Sequence, residues 1–557
     1  MLRCLRAPVL LPLLSALIAS TVQAIPKITR SGRYLYDSSG NRFYIKGIAY
    51  QEQGEVVASD DNPFGEPSSF IDPLAIDAAC ARDLPFLQEL GVNTIRVYSV
   101  NSSLNHDACM NAFSQAGIYA IIDLSTPLNG SIDRVSPSWS TNILDQYTHT
   151  IDVFSKYDNV LAYNVGNEVV ISNTTAVSPY IKAAARDIKA YLKSKGSSAL
   201  VGYAAINGQS TWRGDLADYL SCDPSNSNSD STSIDIYGLN DYEWCGDSNF
   251  QSSYAATTNA FSDYNVVAYF SEFGCIKSPP RLWTETVALF GSDMNTVWSG
   301  GIAFSYFPAS SADGQFGMVT ISSDAKTVTT SDDFDRLKTE YNSISFINSP
   351  SQSSAGASSY PSCPAADSNF LASTTIPPTP NEAACNCLES ALSCQFTPLT
   401  SNYTAVVGEL LDFGCSLLGQ VGSNACNDIG GDGAKGVYGR ISGCDPTIKL
   451  SYVMSQYYES QQRQASSCQF GGNGTVNSRV SSSLTADSAA SSCIANPSAV
   501  FTPSAAPTNN APAPNGSSTS GNNNTSGALS ISYDSQALLG LAAMGILSVI
   551  GGIWTLQ

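Results

Sequence analysis

The sequence predicts an α/β fold, a (β/α)8 TIM barrel followed by a small disulfide-rich domain. Three observations lead there. Eight short apolar runs recur between residues 43 and 307, segments of helical periodicity lie between most of them, and a Cys-dense block follows. Continuous apolar strands that alternate with helices imply a parallel sheet covered on both faces. Eight such units in one stretch fit a closed barrel better than an open doubly wound sheet, and no Gly-x-Gly-x-x-Gly follows the first run.

The runs are "FYIKGIA" (43–49), "VNTIRVY" (92–98), "IYAIIDL" (118–124), "VLAYNVG" (160–166), "ALVGYA" (199–204), "IDIYGL" (234–239), "VVAYFSE" (266–272) and "GIAFSYF" (301–307). Each is short enough for a strand and rich in β-branched and aromatic residues. Between them, "PLAIDAACARDLPFLQEL" and "SPYIKAAARDIKAYLKS" space their apolar residues as helices do. At 557 residues the chain exceeds what one core supports, so further domains are expected.

Residues 346–380 include "SPSQSSAGASSYPS", a flexible linker by composition. Residues 381–495 hold eight Cys, from Cys385 to Cys493, which marks a small stapled domain whose 105 possible pairings the sequence does not resolve. Residues 496–530 are too poor in apolar side chains to fold and read as a glycosylated stalk.

The termini point outside the cytoplasm. Residues 1–24 combine Arg3 and Arg6, an apolar run and Val22-Gln23-Ala24, the pattern of a cleaved signal peptide. The C-terminal tail "ALLGLAAMGILSVIGGIWTL" has the length of a membrane span, but only Gln557 follows it. Small residues and a polar spacer precede it, the layout of a GPI signal, with attachment near Ser526 or at Asn523 or Asn524 and removal of residues 527–557. An ordinary single-pass helix is the alternative. Of fifteen Cys, Cys4 leaves with the signal, and an even number then suits disulfides in an oxidising compartment. Sequons at Asn101, Asn129, Asn173, Asn402, Asn473, Asn515, Asn523 and Asn524 agree.

Charge excludes some partners. A net charge of −20 repels phosphate backbones, so nucleic acid is not expected. His106 and His149 are the only histidines and neither stands in a metal motif, so no metal site is expected. Oligomeric state is left open.

Polar residues at the C-terminal ends of barrel strands face the active end. "AYNVGNEVV" puts Asn167 and Glu168 at the end of the fourth run, and "AYFSEFGC" puts Glu272 at the end of the seventh. A lone Glu at a strand end is most often a surface group. Two that converge on one cleft are what glycoside cleavage requires, and Asn beside the acid can hydrogen-bond a sugar 2-hydroxyl.

Together "YNVGNEV", "YFSEFGC", "NTIRVYSV", "NDYEWCG" and "GIAYQ" resemble the fungal β-1,3-glucanosyltransferases of glycoside hydrolase family 72 over about residues 25–345. The block from Cys385 to Cys493 resembles a family 43 carbohydrate-binding module. The resemblance implies a catalytic barrel with Glu168 as general acid/base and Glu272 as nucleophile, no cofactor, β-1,3-glucan as donor and acceptor, and a GPI anchor in the plasma membrane.

It also implies sugar contacts from Gln51, Tyr98, Asn167 and Tyr242, and from the donor loop Thr126, Pro127, Leu128, Asn129, Gly130, Ser131, Ile132, Asp133 and Arg134. Asn207 and Arg213 fall where acceptor contacts are expected, with Asn207 in place of the family's Asp. Phe304-Ser305-Tyr306 stands for a Tyr-Glu-Tyr run, and Phe304 and Tyr306 are expected to stack on sugar. Trp244 is left between platform and core. Implied disulfides join Cys80 to Cys109, Cys245 to Cys275, and Cys222 to Cys363.

A retaining transglycosidase needs its carboxyls about 5 to 5.5 Å apart. Glu168 is expected to titrate above about 4.3 and Glu272 below it. The rival readings are a hydrolytic β-1,3-glucanase and a non-catalytic wall-binding protein.

Overall fold

The computed structural model describes residues 25–54, 68–127, 130–311, 314–400 and 403–504. Eight parallel strands close into a barrel: β1 (Ile45–Ala49), β2 (Thr94–Val97), β3 (Tyr119–Asp123), β4 (Val160–Asn167), β5 (Leu200–Ile206), β6 (Ile236–Asn240), β7 (Val267–Phe273) and β8 (Trp298–Ala303). β8 pairs with β1, Gly300 opposite Ile45 and Ala303 opposite Ile48, so no sheet edge remains.

The barrel interior is an apolar column. Ile45, Ile121, Leu161, Ile236, Val267, Tyr269 and Ile302 fill it, and Ile25, Ile28 and Leu35 from the segment and antiparallel sheet that precede β1 join them. Phe43, Tyr98 and Phe304 pack against this column while only partly buried. A second and larger core lies between the strands and the outer helices, among them α1 (Asp77–Leu90), α2 (Asp107–Gln115), α3 (Thr141–Phe154), α4 (Ser178–Ser194) and α5 (Ser210–Ser221). Cys80–Cys109 ties α1 to α2.

The eighth strand begins earlier than its apolar run predicts. Trp298 to Ala303 form it, and Phe304 to Phe307 have already left the barrel wall. The Gly pair hid its start: a Cβ on Gly300 would come within 2.3 Å of the Ile45 carbonyl, so the strand gives up side chains there to lie close to β1.

Residues 346–380 are not a free linker. Phe370 is fully buried and packs edge-on against Tyr219, Cys363 is bonded to Cys222, and the Pro361 carbonyl accepts from the Asp223 amide at 2.8 Å. Ser, Pro and Gly deny the segment regular structure, but contacts made one residue at a time hold it to the barrel.

The Cys-rich domain builds on four further helices, α6 (Glu382–Ala391), α7 (Thr404–Gln420), α8 (Pro446–Ser460) and α9 (Ala486–Cys493). Its bridges are Cys385–Cys444, Cys387–Cys493, Cys394–Cys468 and Cys415–Cys426. It docks on the barrel through polar contacts: the Gly443 carbonyl accepts from the Thr141 amide at 2.9 Å, and the buried Lys449 ammonium donates to Ser138 at 2.9 Å. Burial pushes that lysine down to about 8.

Among the described residues no helix is long and apolar enough to cross a membrane. The expected signal peptide, the attachment site at Ser526 and the C-terminal tail lie outside those residues.

Where the tether meets the barrel, Asp187 is fully buried and accepts from four donors. These are Arg186 Nε (2.8 Å) and Nη2 (2.9 Å), Trp139 Nε1 (2.8 Å) and Thr379 Oγ1 (2.8 Å). Asp187→Ala leaves Arg186 buried without its partner. It should lower stability by about 3 to 5 kcal/mol, measured as a fall in the urea midpoint.

Candidate active site

The C-terminal ends of the strands surround a cleft of about 570 Å³ lined by Gln51, Tyr98, Asn167, Glu168, Asn207, Asn240, Tyr242, Glu272, Phe304 and Phe316, among others. Glu168 follows β4 directly, in a left-handed conformation with φ 49°. That conformation costs a non-glycine residue on the order of 1 to 3 kcal/mol and is held only where the surroundings fix it. Its amide donates to the Ala204 carbonyl of β5 at 2.8 Å, and Arg134 Nη2 donates to the Glu168 carbonyl at 3.1 Å. The carboxylate accepts from Asn240 Nδ2 at 2.8 Å and is partly exposed to the cleft.

Glu272 lies inside β7, with only 8% of its surface exposed. Arg96 Nη1 and Tyr98 Oη donate to its Oε1 at 3.2 and 2.8 Å, and Tyr242 Oη donates to Oε2 at 2.7 Å. Burial raises this carboxyl above its ordinary value, while Arg96 and the two phenols pull it back. The expectation that Glu272 titrates below the ordinary carboxylate is therefore corrected: loss of solvent outweighs its three donors. Burial also lifts both phenols well above their usual range, so they stay protonated as donors.

Sequence reasoning missed Arg96, Asp123 and Asn240. Arg96 is fully buried in β2, and two of its nitrogens meet Asp123, Nη2 at 2.7 Å. Nη2 also donates to Asn167 Oδ1 at 2.8 Å. Burial works against this cation, but the charges facing it, Asp123 foremost, raise it well above its usual value. Asn240 is fixed by Ser271 Oγ, which donates to its Oδ1 at 2.7 Å, leaving Nδ2 for Glu168. The signal was in the sequence: an Arg within "NTIRVY" and an Asn ending "IDIYGLN" are polar breaks in runs that should be buried.

Gln51 lines the cleft and its side-chain oxygen caps the Tyr98 and Ser99 amides at 3.2 and 3.0 Å. Phe304 meets Tyr98, Tyr242 and Phe316 edge-on, with centroids 6.2, 6.4 and 5.2 Å apart, and forms an aromatic wall. Arg281, behind it, donates to the Phe304 and Phe316 carbonyls at 2.8 and 2.6 Å.

Of the expected donor loop, Pro127 reaches the cleft. Thr126 and Gly130 are tied to each other and to Gln146, Asp133 caps the amides of Val135 and Ser136, and Ser131 is partly buried. Leu128 and Asn129 lie outside the described residues. Arg213 is buried behind Asn207, to which it donates.

Two expected sugar contacts point elsewhere. Ile132 is 2% exposed and belongs to the outer core. Tyr306 is fully buried, packs on Tyr50 and Phe307, and donates to Asp83 at 3.1 Å, because the chain has already turned away after Ala303. Trp244 is core as well: it packs on Tyr254 and donates to Thr284 at 3.1 Å. The Cys245–Cys275 bridge ties the loop after Tyr242 to the residue three beyond Glu272.

The family model of the glucanosyltransferases of glycoside hydrolase family 72 matches residues 16–345. The chain belongs to that family. An X8 domain matches residues 392–475, within the Cys-rich block. The chain is 39% identical over 490 residues to the 1,3-beta-glucanosyltransferase gas1 of Schizosaccharomyces pombe, covering 87% of this chain and 84% of that one. It is 37% identical over 494 residues to pH-responsive protein 2 of Candida albicans, covering 88% and 84%.

Among solved structures, a point mutant of Saccharomyces cerevisiae Gas2p in complex with laminaritetraose and laminaripentaose superposes with a TM-score of 0.72. The identity is 34%, over 84% of this chain and 98% of that one. This family 72 barrel is thus an enzyme of the transglycosidase type, a glucanosyltransferase.

Two substitutions separate the cleft from its surroundings. Tyr242→Phe removes a hydrogen bond to a charged group, worth about 1.5 to 3 kcal/mol. It should lower kcat about 10- to 100-fold. Since that bond favours the ionised form, its loss raises the Glu272 pKa, and the acidic limb of the activity profile should move to higher pH. Tyr306→Phe should lower stability by about 1 to 3 kcal/mol and leave the kinetics unchanged.

Proposed function

We propose that the chain is a retaining β-1,3-glucanosyltransferase. It cleaves a β-1,3-glucan donor and transfers the new reducing end to the non-reducing end of another β-1,3-glucan, elongating and remodelling cell-wall glucan. The observation that carries this reading is the unequal setting of the two carboxyls: Glu272 is buried among Arg96, Tyr98 and Tyr242, and Glu168 is partly exposed at the cleft, where the Asn240 amide donates to it. Laminari-oligosaccharides in the related Gas2p support the choice of glucan.

Glu168, protonated, gives its proton to the glycosidic oxygen as the bond from that oxygen to the anomeric carbon breaks. A Glu272 carboxylate oxygen forms the new bond to that carbon, which yields a glucosyl ester. Glu168, now ionised, takes the proton of an acceptor 3-hydroxyl, whose oxygen attacks the same carbon and releases Glu272. Protein carboxyls suffice, with no cofactor. Arg96, Tyr98 and Tyr242 hold the attacking oxygens, and Asn167 and Asn240 stand beside the acid.

Gln51, Pro127 and Phe304 would hold the donor, and Asn207 the acceptor. The same reading puts the mature protein at the cell surface, GPI-anchored near Ser526 in the plasma membrane.

Feeding one purified laminari-oligosaccharide should give products longer than the substrate; only shorter ones would make the protein a glucanase. Glu168→Gln and Glu272→Gln should each cost on the order of 10² to 10⁴ in rate or more. With an activated donor, azide should rescue Glu168→Ala with retained configuration. Rescue of Glu272→Ala with retained configuration would exchange the two roles.

A further inference from the structure

One buried carboxylate beside the cleft has no part in that mechanism. Asp241 follows β6 directly and has no exposed surface. Its amide donates to the Glu272 carbonyl at 2.8 Å. Its Oδ1 accepts from the Glu243 amide at 2.9 Å, and its Oδ2 accepts from Asn207 Nδ2 at 3.0 Å. Asn207 is gripped on its other side by Arg213, which also reaches Thr257 at 3.4 Å. The Asn207 amide therefore has one orientation, with oxygen toward Arg213 and nitrogen toward Asp241, and it lines the cleft.

Strand β4, which carries Glu168, has β3 on one side and β5 on the other. With the donor chain on the loop after β3, the departing and incoming sugars meet residues after β5 and β6. Resting on the transferase reading above, we propose that Asp241 is a positioning residue for the acceptor: through Asn207 it sets the wall of the cleft that receives the incoming glucan.

An ionised Asp241 accepts both N–H groups, whereas a protonated one gives up acceptor capacity and loosens Asn207. Burial pushes this carboxyl up to about 7, the Glu243 amide and Arg213 oppose the rise, and the Glu243 charge adds to it. Tyr254 also faces Asp241, its own hydroxyl held neutral by burial and by that charge. Since Asp241 is ionised above its pKa, ordering of the wall, and with it acceptor use, should increase as pH rises through about 7.

The readout is the ratio of transfer to hydrolysis for one laminari-oligosaccharide between pH 5.5 and 8.5. Water and sugar attack the same ester with the same base, so titration of Glu168 and Glu272 cancels in that ratio. The unsubstituted protein should show a ratio that rises with pH. Asp241→Asn, which cannot accept both bonds in one rotamer, should lower it about tenfold at the alkaline end, raise the acceptor KM more than it lowers kcat, and abolish the slope.

Asn207→Ala, which leaves Asp241 in place, should give the same low, flat ratio and serves if Asp241→Asn fails to fold. A wild-type ratio and slope in either soluble variant would overturn the inference while the transferase reading stands. Absence of longer products from the unsubstituted protein would remove both.

Discussion

The guanidinium of Arg96 is fully enclosed by the barrel and reaches groups on four other strands: Asp123 on β3, Asn167 on β4, Asn240 on β6, and Glu272 with the Ser271 carbonyl on β7. A buried cation without partners costs several kcal/mol, so these strands must present their polar groups in one register for the barrel to close. Below this layer the column is apolar and can be filled by any well-packed set of side chains. The charge makes the upper layer specific. It also lies 4.2 Å from the Tyr98 ring, so the residue that supplies an aromatic face to the cleft is fixed by the cation that holds Glu272.

From that arrangement follows the difference between the two carboxyls. Glu272 loses its water and is compensated by Arg96 and two phenols, incompletely, so burial leaves it above the usual carboxylate range. In the proposed mechanism Glu272 is a nucleophile that must also leave, and it gains from this balance. A strongly depressed carboxylate would depart easily from the ester but form it slowly, and a fully uncompensated one would stay protonated and form none. Glu168, on a strained turn at the mouth with the amide of Asn240 for support, keeps the access to solvent and sugar that a proton carrier needs.

Much of this was legible in the sequence, for physical reasons that can be named. Asn167, Glu168 and Glu272 stood out because each ends an apolar run, where a barrel strand opens into its loop. Arg96 lay in an equally visible run and was passed over, because a polar residue inside a strand reads as one face of an alternating pattern unless both faces are known to be buried; Asn240 ends the sixth run as Asn167 ends the fourth, and the same argument would have found it. Tyr306 was misplaced with the boundary of β8, since Gly300 and Gly301 buy close approach to β1 at the expense of the apolar signal that marks a strand. The segment around Cys363 and Phe370 defeats composition altogether: Ser and Gly predict flexibility, and a disulfide and one buried ring are enough to remove it.

The remaining constraint is competition with water. In the proposed mechanism ester and base are the same for hydrolysis and transfer, so the protein can favour a sugar only by holding it in line before attack. The advantage of a bound, oriented nucleophile depends on how little its surroundings move. The parts that would hold an acceptor are anchored accordingly. The loop after Tyr242 is bonded through Cys245 to Cys275, the Asp241 amide is tied to the Glu272 carbonyl, and Asn207 is held between a buried cation and a buried carboxylate. These tethers run to β7 through the Glu272 carbonyl and to the segment just after it through Cys275, so in the proposed mechanism the incoming hydroxyl is referenced to the strand that carries the ester it attacks.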